Sequence, residues 1–220
     1  MFTVFLVPAG RDRFELYSEP PEEPGAAPAH DAGRIRQWMH AAHVRWHAAV
    51  DRARRGESDG ALGRWRDAMV CRLAESIAEQ RTLWALRRQS AAMLEYPSTI
   101  DEGSARRVLD RALGAARLHH GRWLIVDLLL FIGSGVLFFV PGPNVVAYYL
   151  AFRVVGHFNS WRGARHGIAD TAWSLHADAD LGELSHLVDQ PREARAPRVE
   201  AIAERLNLRR LSAFFDRVAA

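Results

Sequence analysis

The segment that decides the fold of this chain is residues 123–161, which read WLIVDLLLFIGSGVLFFVPGPNVVAYYLAFRVVGHFNSW. The first arm of this segment, Trp123–Val140, contains a single ionisable side chain, Asp127. As a helix, its residues would span roughly 27 Å, which is close to the ~30 Å thickness of the hydrocarbon layer of a membrane. The pattern therefore predicts a first membrane-crossing helix.

A tight reversal of the chain is predicted directly after this arm. Prolines lack the amide donor that a helix needs, glycine relaxes the turn, and asparagine is a good helix N-cap. The second arm, Asn144–Trp161, carries Arg153 and His157. We therefore predict a two-helix membrane hairpin; the alternative is the same hairpin buried in the core of a soluble helical protein. The predicted turn residues are Pro141, Gly142, Pro143 and Asn144.

The polar residues of the two arms are predicted to meet. Asp127 lies as far before Gly142 as His157 lies after it, so the two residues share one depth in an antiparallel pair. Arg153 lies about one helical turn nearer the tip. Because charges within a membrane usually face a partner helix or water, Asp127, Arg153 and His157 are the candidate ion- or proton-linked residues.

The two ends of the hairpin differ in charge, which predicts its orientation. Trp123 and Trp161 lie level with each other at the open end, where aromatic residues often mark the membrane interface. Basic residues flank this end and none lies at the tip, so the positive-inside rule predicts that both termini are cytoplasmic. The flanking residues are Arg117, His119, His120 and Arg122 before the first arm, and Arg162, Arg165 and His166 after the second.

The composition of the chain indicates which classes of partner it binds. Its 220 residues carry a formal net charge of +3, and all 29 Lys and Arg positions are arginine. The arginines alternate with acidic residues instead of forming a one-sided basic stripe, which predicts no nucleic-acid binding. Their clustering around the hairpin indicates a bilayer with anionic headgroups as the partner.

The remaining patterns predict a mainly α-helical chain with a small β-sheet. Two short β-like runs near the N-terminus, joined by a turn signal, and alternating apolar residues at 172–177 indicate strands, whereas three- and four-residue spacing elsewhere indicates helices. The predicted regions are a β-hairpin at 1–18, a linker at 19–32, a cytoplasmic helical region at 33–122 containing a helical hairpin, the membrane hairpin at 123–161, and a C-terminal strand and helices at 162–220.

No pattern in the chain indicates an enzyme, a metal site or a cofactor. His40, His43 and His47 fall on one side of a predicted helix, but no carboxylate or cysteine at a matching position completes a metal site. Asp178 and Asp180 are better explained as caps of the helix that follows them than as calcium ligands. The chain has no phosphate-binding glycine loop, nucleophile elbow or zinc-protease motif.

Two segments resemble a known family. The run PGPNVVAYYLAFRVVGHFNSWRGARHG at 141–167, together with FTVFLVP and RFELY near the N-terminus, is similar to the mitochondrial K⁺/H⁺ exchange-related family. The resemblance implies involvement in potassium–proton exchange across an energised membrane. The absence of lysine and the compact size indicate a bacterial member, which would place the chain at the bacterial cytoplasmic (inner) membrane.

Two functional hypotheses follow. In the first, the chain takes part in or assists potassium–proton exchange as a homo-oligomer or with a partner carrier, because two helices cannot enclose a transport path. Asp127 and His157 would then titrate, and Arg153 would set the charge state of the carboxylate. In the second, the chain is a non-catalytic scaffold or interaction protein, and the same residues form a structural ion pair between the arms.

Overall fold

A computed structural model describes residues 1–10, 12–19, 80–134 and 145–219 of the chain. The chain divides into two compact units, one formed by residues 1–19 with 81–220 and the other by residues 20–80. The description below concerns the first unit.

A four-stranded mixed sheet lies at the centre of this unit, with the strand order β2-β1-β3-β4. Strands β1 and β2 pair antiparallel, whereas β1–β3 and β3–β4 pair parallel. Parallel neighbours need long crossover connections, and the one between β3 and β4 contains the two long helices. The strands are β1 Phe2–Pro8, β2 Phe14–Tyr17, β3 Ala91–Pro97 and β4 Ala172–Asp178.

Helices make up most of the described chain. A helical segment at 80–86 precedes β3, and five further helices follow it in the described ranges. Two of them begin at aspartate caps: Asp101 accepts a hydrogen bond from the Ser104 amide at 2.9 Å, and Asp178 accepts one from the Leu181 amide at 2.7 Å. The helices are α1 Glu102–Gly133, α2 Val145–Ala169, α3 Ala179–Ser185, α4 Arg192–Arg205 and α5 Leu211–Val218.

Both faces of the sheet are covered, because β1 sends alternate side chains into two separate cores. Val4 and Leu6 pack with α1, α2 and the 80–86 segment, whereas Phe5 and Val7 pack with α3, α4 and α5. A strand that is buried on both faces is expected to be almost continuously apolar, and FTVFLVP fits this rule. The chain is therefore mainly helical with a small mixed sheet, as predicted.

The predicted membrane hairpin is wrong. Within the described ranges, neither long helix has an apolar stretch that could cross a bilayer. The physical reason lies in how the helices extend: α1 is one 32-residue helix whose first two thirds are rich in arginine, and α2 carries Arg153, Arg162 and Arg165. The described part of the predicted first arm, Trp123–Gly133, is thus the continuation of a longer polar helix and not a separate apolar element. The prediction of a transmembrane helix is therefore wrong as well.

The C-terminal residues form two helices, α4 and α5, within the region predicted to hold a strand and helices. Asn207 adopts a positive φ of 55° directly after α4. The Leu208 amide donates to the Ala203 carbonyl at 2.8 Å and the Asn207 amide donates to the Glu204 carbonyl at 3.0 Å, which is the Schellman arrangement that ends a helix. The chain then turns into α5, so that both helices pack on the same core.

Candidate functional site

The candidate site lies where α1 and α2 pack against each other. The contacts between them run in opposite directions along the two helices: Leu113 lies against Gly167, Gly121 against Trp161, and Asp127 against Arg153. The helices are therefore antiparallel. Arg153 and His157 are four residues apart, so both side chains project from the same side of α2 toward α1.

Asp127 is the buried centre of the site. Its Oδ2 atom accepts a hydrogen bond from Arg153 Nε at 3.0 Å and lies 3.3 Å from His157 Nε2. The residue is only 1 % exposed. A carboxylate at this depth needs a charged partner and hydrogen bonds to remain ionised, and Arg153 supplies both. The structure thus brings together the three residues that the sequence placed at a similar depth.

Arg153 is held in place by aromatic side chains as well as by Asp127. Its Nη1 donates to the Tyr149 hydroxyl at 3.4 Å, and its guanidinium carbon lies 5.6 Å from the centre of the Trp123 ring. Burial on its own would lower the pKa of Arg153, but the hydrogen bonds with Tyr149 and Asp127 raise it above its ordinary value. Arg153 is therefore a permanent cation beside Asp127.

A fourth residue, His120, belongs to the site and was missed from sequence, where it was counted as a basic flank. Its Nδ1 lies 2.8 Å from Nδ1 of His157, and His120 is 9 % exposed. A signal was present: His120 precedes Asp127 by seven residues, which is about two helical turns and places both on one face of α1. Neighbouring His119 packs edge-on against its ring, with the ring centres 5.1 Å apart.

The two buried histidines favour the neutral form. Burial, together with the positive charges that His157 and His119 can carry, lowers the pKa of His120 to about 4. Burial also lowers the pKa of His157; Arg153 and His119 act in that direction, whereas Asp127 opposes it. At neutral pH both imidazoles are therefore neutral beside the Arg153 guanidinium.

The predicted interface residues do not form one belt. Trp161 packs over Gly121, where an added Cβ would lie 3.2 Å from its ring, and the Arg165 guanidinium lies 5.8 Å from the centre of that ring. His166 instead turns toward the start of β3, with Nε2 3.1 Å from the Gln89 carbonyl and Nδ1 3.1 Å from Asp170. Trp123 is exposed beside Arg153, and Arg162 is exposed on α2.

The outer surface of the helix pair is apolar and exposed. Ile125, Leu129 and Ile132 of α1 are each more than 60 % exposed. Phe152, Val155 and Phe158 continue the surface on α2. We refer to these six residues as the apolar surface. The first unit thus buries the polar side of the α1–α2 pair and leaves apolar side chains outside, which is typical of a surface that contacts another molecule.

Several sequence predictions lie outside the described residues, in whole or in large part. These are the turn Pro141–Asn144, the linker at 19–32, the helical hairpin within 33–122, and the histidines His40, His43 and His47. Within the described ranges, no group of three or more histidine, cysteine or acidic side chains is arranged to hold a metal ion.

The fold and the site together define a class: a mainly helical chain whose small mixed sheet carries a long antiparallel helix pair with a buried carboxylate, guanidinium and imidazole cluster. Residues 4–167 match the model of the family described as "Mitochondrial K+-H+ exchange-related", so the chain belongs to that family. The resemblance noted from sequence is confirmed. No curated protein and no solved structure matches the chain. The family match includes His120, Asp127, Arg153 and His157.

Proposed function

We propose that this protein takes part in or assists potassium–proton exchange across a membrane, in a non-enzymatic role, as a homo-oligomer or together with a partner carrier. Family membership supports the link to exchange. The single structural observation that supports a proton-linked role is Asp127, buried between two helices and bound by Arg153 and His157. Strongly buried ionisable groups with specific charge partners are candidates for functional sites.

The chemistry of the site suits a proton-responsive role. Arg153 keeps a positive charge beside Asp127 at all physiological pH values. The exchanged proton binds an imidazole, the side chain whose ordinary pKa lies nearest neutrality. In this proposal, protonation of His157 changes the charge at the α1–α2 contact from neutral to positive, and the partner senses this change.

A partner is part of the proposal because the site lies between only two helices. Transporters form their ion sites among several helices of a bundle, so the proposed function requires further copies of the chain or a carrier. The apolar surface is the proposed contact area for that partner. The arginines that flank the helix pair support association with a bilayer that has anionic headgroups. We propose the bacterial cytoplasmic membrane as the location, with both chain ends on its cytoplasmic side.

The test is a measurement of potassium-dependent proton flux in membrane vesicles from bacterial cells that express the full chain. Wild-type vesicles are expected to show a potassium-dependent change of internal pH above that of vesicles without the protein, and Asp127→Asn is expected to abolish the increment. Asp110→Asn is the matched control, because Asp110 lies on the same helix in an exposed pair with Arg106. Equal increments for the wild type and Asp127→Asn would overturn the proposal.

A second candidate function is a scaffold that binds another protein without any role in exchange. The exposed apolar surface favours it, since such a surface fits any hydrophobic partner. The two candidates differ in their dependence on the buried charges. Replacing Val155 and Phe158 by serine would disrupt both functions, whereas Asp127→Asn would stop flux and leave a scaffold's binding to its partner intact.

A further inference from the structure

Two imidazoles and a carboxylate lie one after another across the contact between α1 and α2; we refer to them as the series. His120 Nδ1 lies 2.8 Å from His157 Nδ1, and the other ring nitrogen of His157, Nε2, lies 3.3 Å from Asp127 Oδ2. His157 therefore uses both ring nitrogens, one toward each neighbour. Arg153 binds the same oxygen of Asp127, with its Nε 3.0 Å from Oδ2. The series is linear, with His120 at one end and the ion pair at the other.

This geometry determines the tautomers of the neutral rings. Asp127 is an acceptor only, so His157 carries its proton on Nε2 and donates it to the carboxylate. Nδ1 of His157 then has a lone pair and no hydrogen. Because two ring nitrogens 2.8 Å apart need one hydrogen between them, His120 carries its proton on Nδ1 and donates it to His157. Nε2 of His120 retains a lone pair that has no partner within the series.

We propose that His120, His157 and Asp127 form a proton relay that takes up one proton per chain, entering at His120 and resting as a charge on His157. This deepens the proposed function, on which the physiological meaning of the relay rests, because it names the route by which a proton reaches the buried ion pair.

The uptake step balances without any further reactant. A solvent proton binds the lone pair of His120 Nε2, forming one N–H bond. The hydrogen on His120 Nδ1 crosses to His157 Nδ1, so one N–H bond breaks and one forms. His120 ends neutral as its other tautomer, with Nδ1 now accepting, while His157 becomes an imidazolium that donates to His120 and to Asp127. The hydrogen bond between the rings is kept but reversed.

The surrounding charges limit the relay to one proton. The charged and titratable groups of the described chain that act on the two rings are His119 and Asp127 from α1 and Arg153 from α2. Asp127 favours a cation on His157, whereas Arg153 and His119 oppose it. A second proton would leave two imidazolium rings with their Nδ1 atoms facing each other and no acceptor between them. The pKa of His120, lowered to about 4, agrees with this resistance to a second charge.

The relay is tested by nitrogen NMR of the full-length chain labelled with ¹⁵N-histidine, titrated from pH 8 to pH 4. At pH 8, His120 is expected to show a protonated Nδ1 and His157 a protonated Nε2. In the first acid step, His157 is expected to become an imidazolium while His120 changes tautomer and stays neutral. His119→Gln is the matched control, since His119 lies beside both rings without a hydrogen bond to either, and it should preserve this coupled step.

Independent titration of the two rings, each near the pKa of a free histidine, would overturn the relay, as would a neutral His120 protonated on Nε2 at pH 8. These results are separable from the flux measurement. If the two rings titrate together but Asp127→Asn leaves the flux unchanged, the relay would be supported and the proposed function rejected. Independent titration with flux lost in Asp127→Asn would reject the relay alone. If both hold, His120→Gln should lower the flux by roughly a hundredfold, because it removes the entry point for the proton.

Discussion

At the scale of single residues, Asp127 determines the chemistry of the helix pair. It is the one acidic residue in a long apolar run, and it is almost fully buried. Charges in such positions are retained only with partners that compensate the loss of hydration, which here are Arg153 and His157. The ion pair therefore determines how α1 and α2 align, whatever else it does.

We expect Asp127→Asn to destabilise the chain by about 2 kcal/mol, because Arg153 would lose its only close carboxylate in the described structure and stay partly buried. The full cost of an unpaired buried charge is reduced here by the partial exposure of Arg153 to solvent. The measurement is urea-induced unfolding followed by circular dichroism. Asp110→Asn, which removes an exposed pair on the same helix, should change stability by no more than about 0.5 kcal/mol. Similar losses for both variants would contradict the assigned role of the buried pair.

At the scale of elements, the packing of α2 against the 80–86 segment depends on one glycine. Gly163 lies where an added Cβ would be only 1.8 Å from the Leu83 carbonyl oxygen. Trp84 Nε1 donates to Ser160 Oγ at 2.9 Å, and Arg87 donates to Asn159, so polar contacts hold the same pair of elements together. The backbones can approach this closely because position 163 has no side chain.

Gly163→Ala is expected to lower the free energy of unfolding by roughly 3 kcal/mol or more, since the obstructing atom belongs to the backbone and cannot rotate away. Gly114→Ala provides the control within a helix of the same packed pair. Nothing lies within 4 Å of a Cβ at position 114, so alanine there should stabilise α1 by about 0.5–1 kcal/mol through its higher helix propensity. Thermal unfolding of the two variants should therefore shift in opposite directions, and a neutral Gly163→Ala would argue against this close approach.

At the scale of elements, one prediction made from local sequence patterns was wrong. The tryptophan at position 123 and the apolar residues after it suggested a new membrane helix, yet α1 begins at Glu102 and continues through this point without a break. A change of composition along a chain does not end a helix unless a residue there disfavours helical backbone, and Gly121 alone did not. Gly121 instead accommodates the Trp161 ring from α2.

At the scale of the whole molecule, the mixed sheet separates two cores and fixes the base of the long helix pair. The α1 residues Ala105, Leu109 and Leu113 pack on one face of the sheet, while α3, α4 and α5 cover the other. The site around Asp127 lies further along α1, where the apolar surface is exposed. The stability of the first unit and the charge at its helix pair are thereby linked through α1 and α2.

This link predicts a pH dependence of stability. His120 has a pKa of about 4 in the folded chain and His157 has a lowered pKa, against an ordinary value of about 6.5 for an unfolded histidine. Between these values the unfolded chain binds more protons than the folded one, so the stabilisation is complete above pH ~6.5 and decreases as the pH falls toward 4.

The variant His120→Gln isolates the contribution of one ring. Its loss of stability between pH 7 and pH 4.5 should be smaller than that of the wild type by about 2 kcal/mol. His119→Gln, which changes an exposed neighbour, should follow the wild-type curve. The measurement is urea unfolding at a series of pH values, and parallel curves for the wild type and His120→Gln would contradict the burial of a neutral His120.

Much of the local structure could be predicted because its causes are local. Two short β-like runs joined by a turn signal predicted β1 and β2, and Asp178 was identified as a helix cap from the residues that follow it. The equal spacing of Asp127 and His157 from Gly142 indicated that they would face each other. The place of His120 was not predicted, since its partner lies 37 residues away and the contact requires the register of two helices.

By itself, the sequence determined the helical and strand segments, the family and the polar residues of the second half of the chain. It could do so because periodicity, caps and motifs depend only on residues that are close together in the chain. Only the tertiary structure decided that α1 is one continuous helix, that β1 separates two cores, and that His120 completes a series ending at Asp127. These features depend on which distant surfaces pack together, and that choice is made by the free energy of the whole fold and not by any single segment.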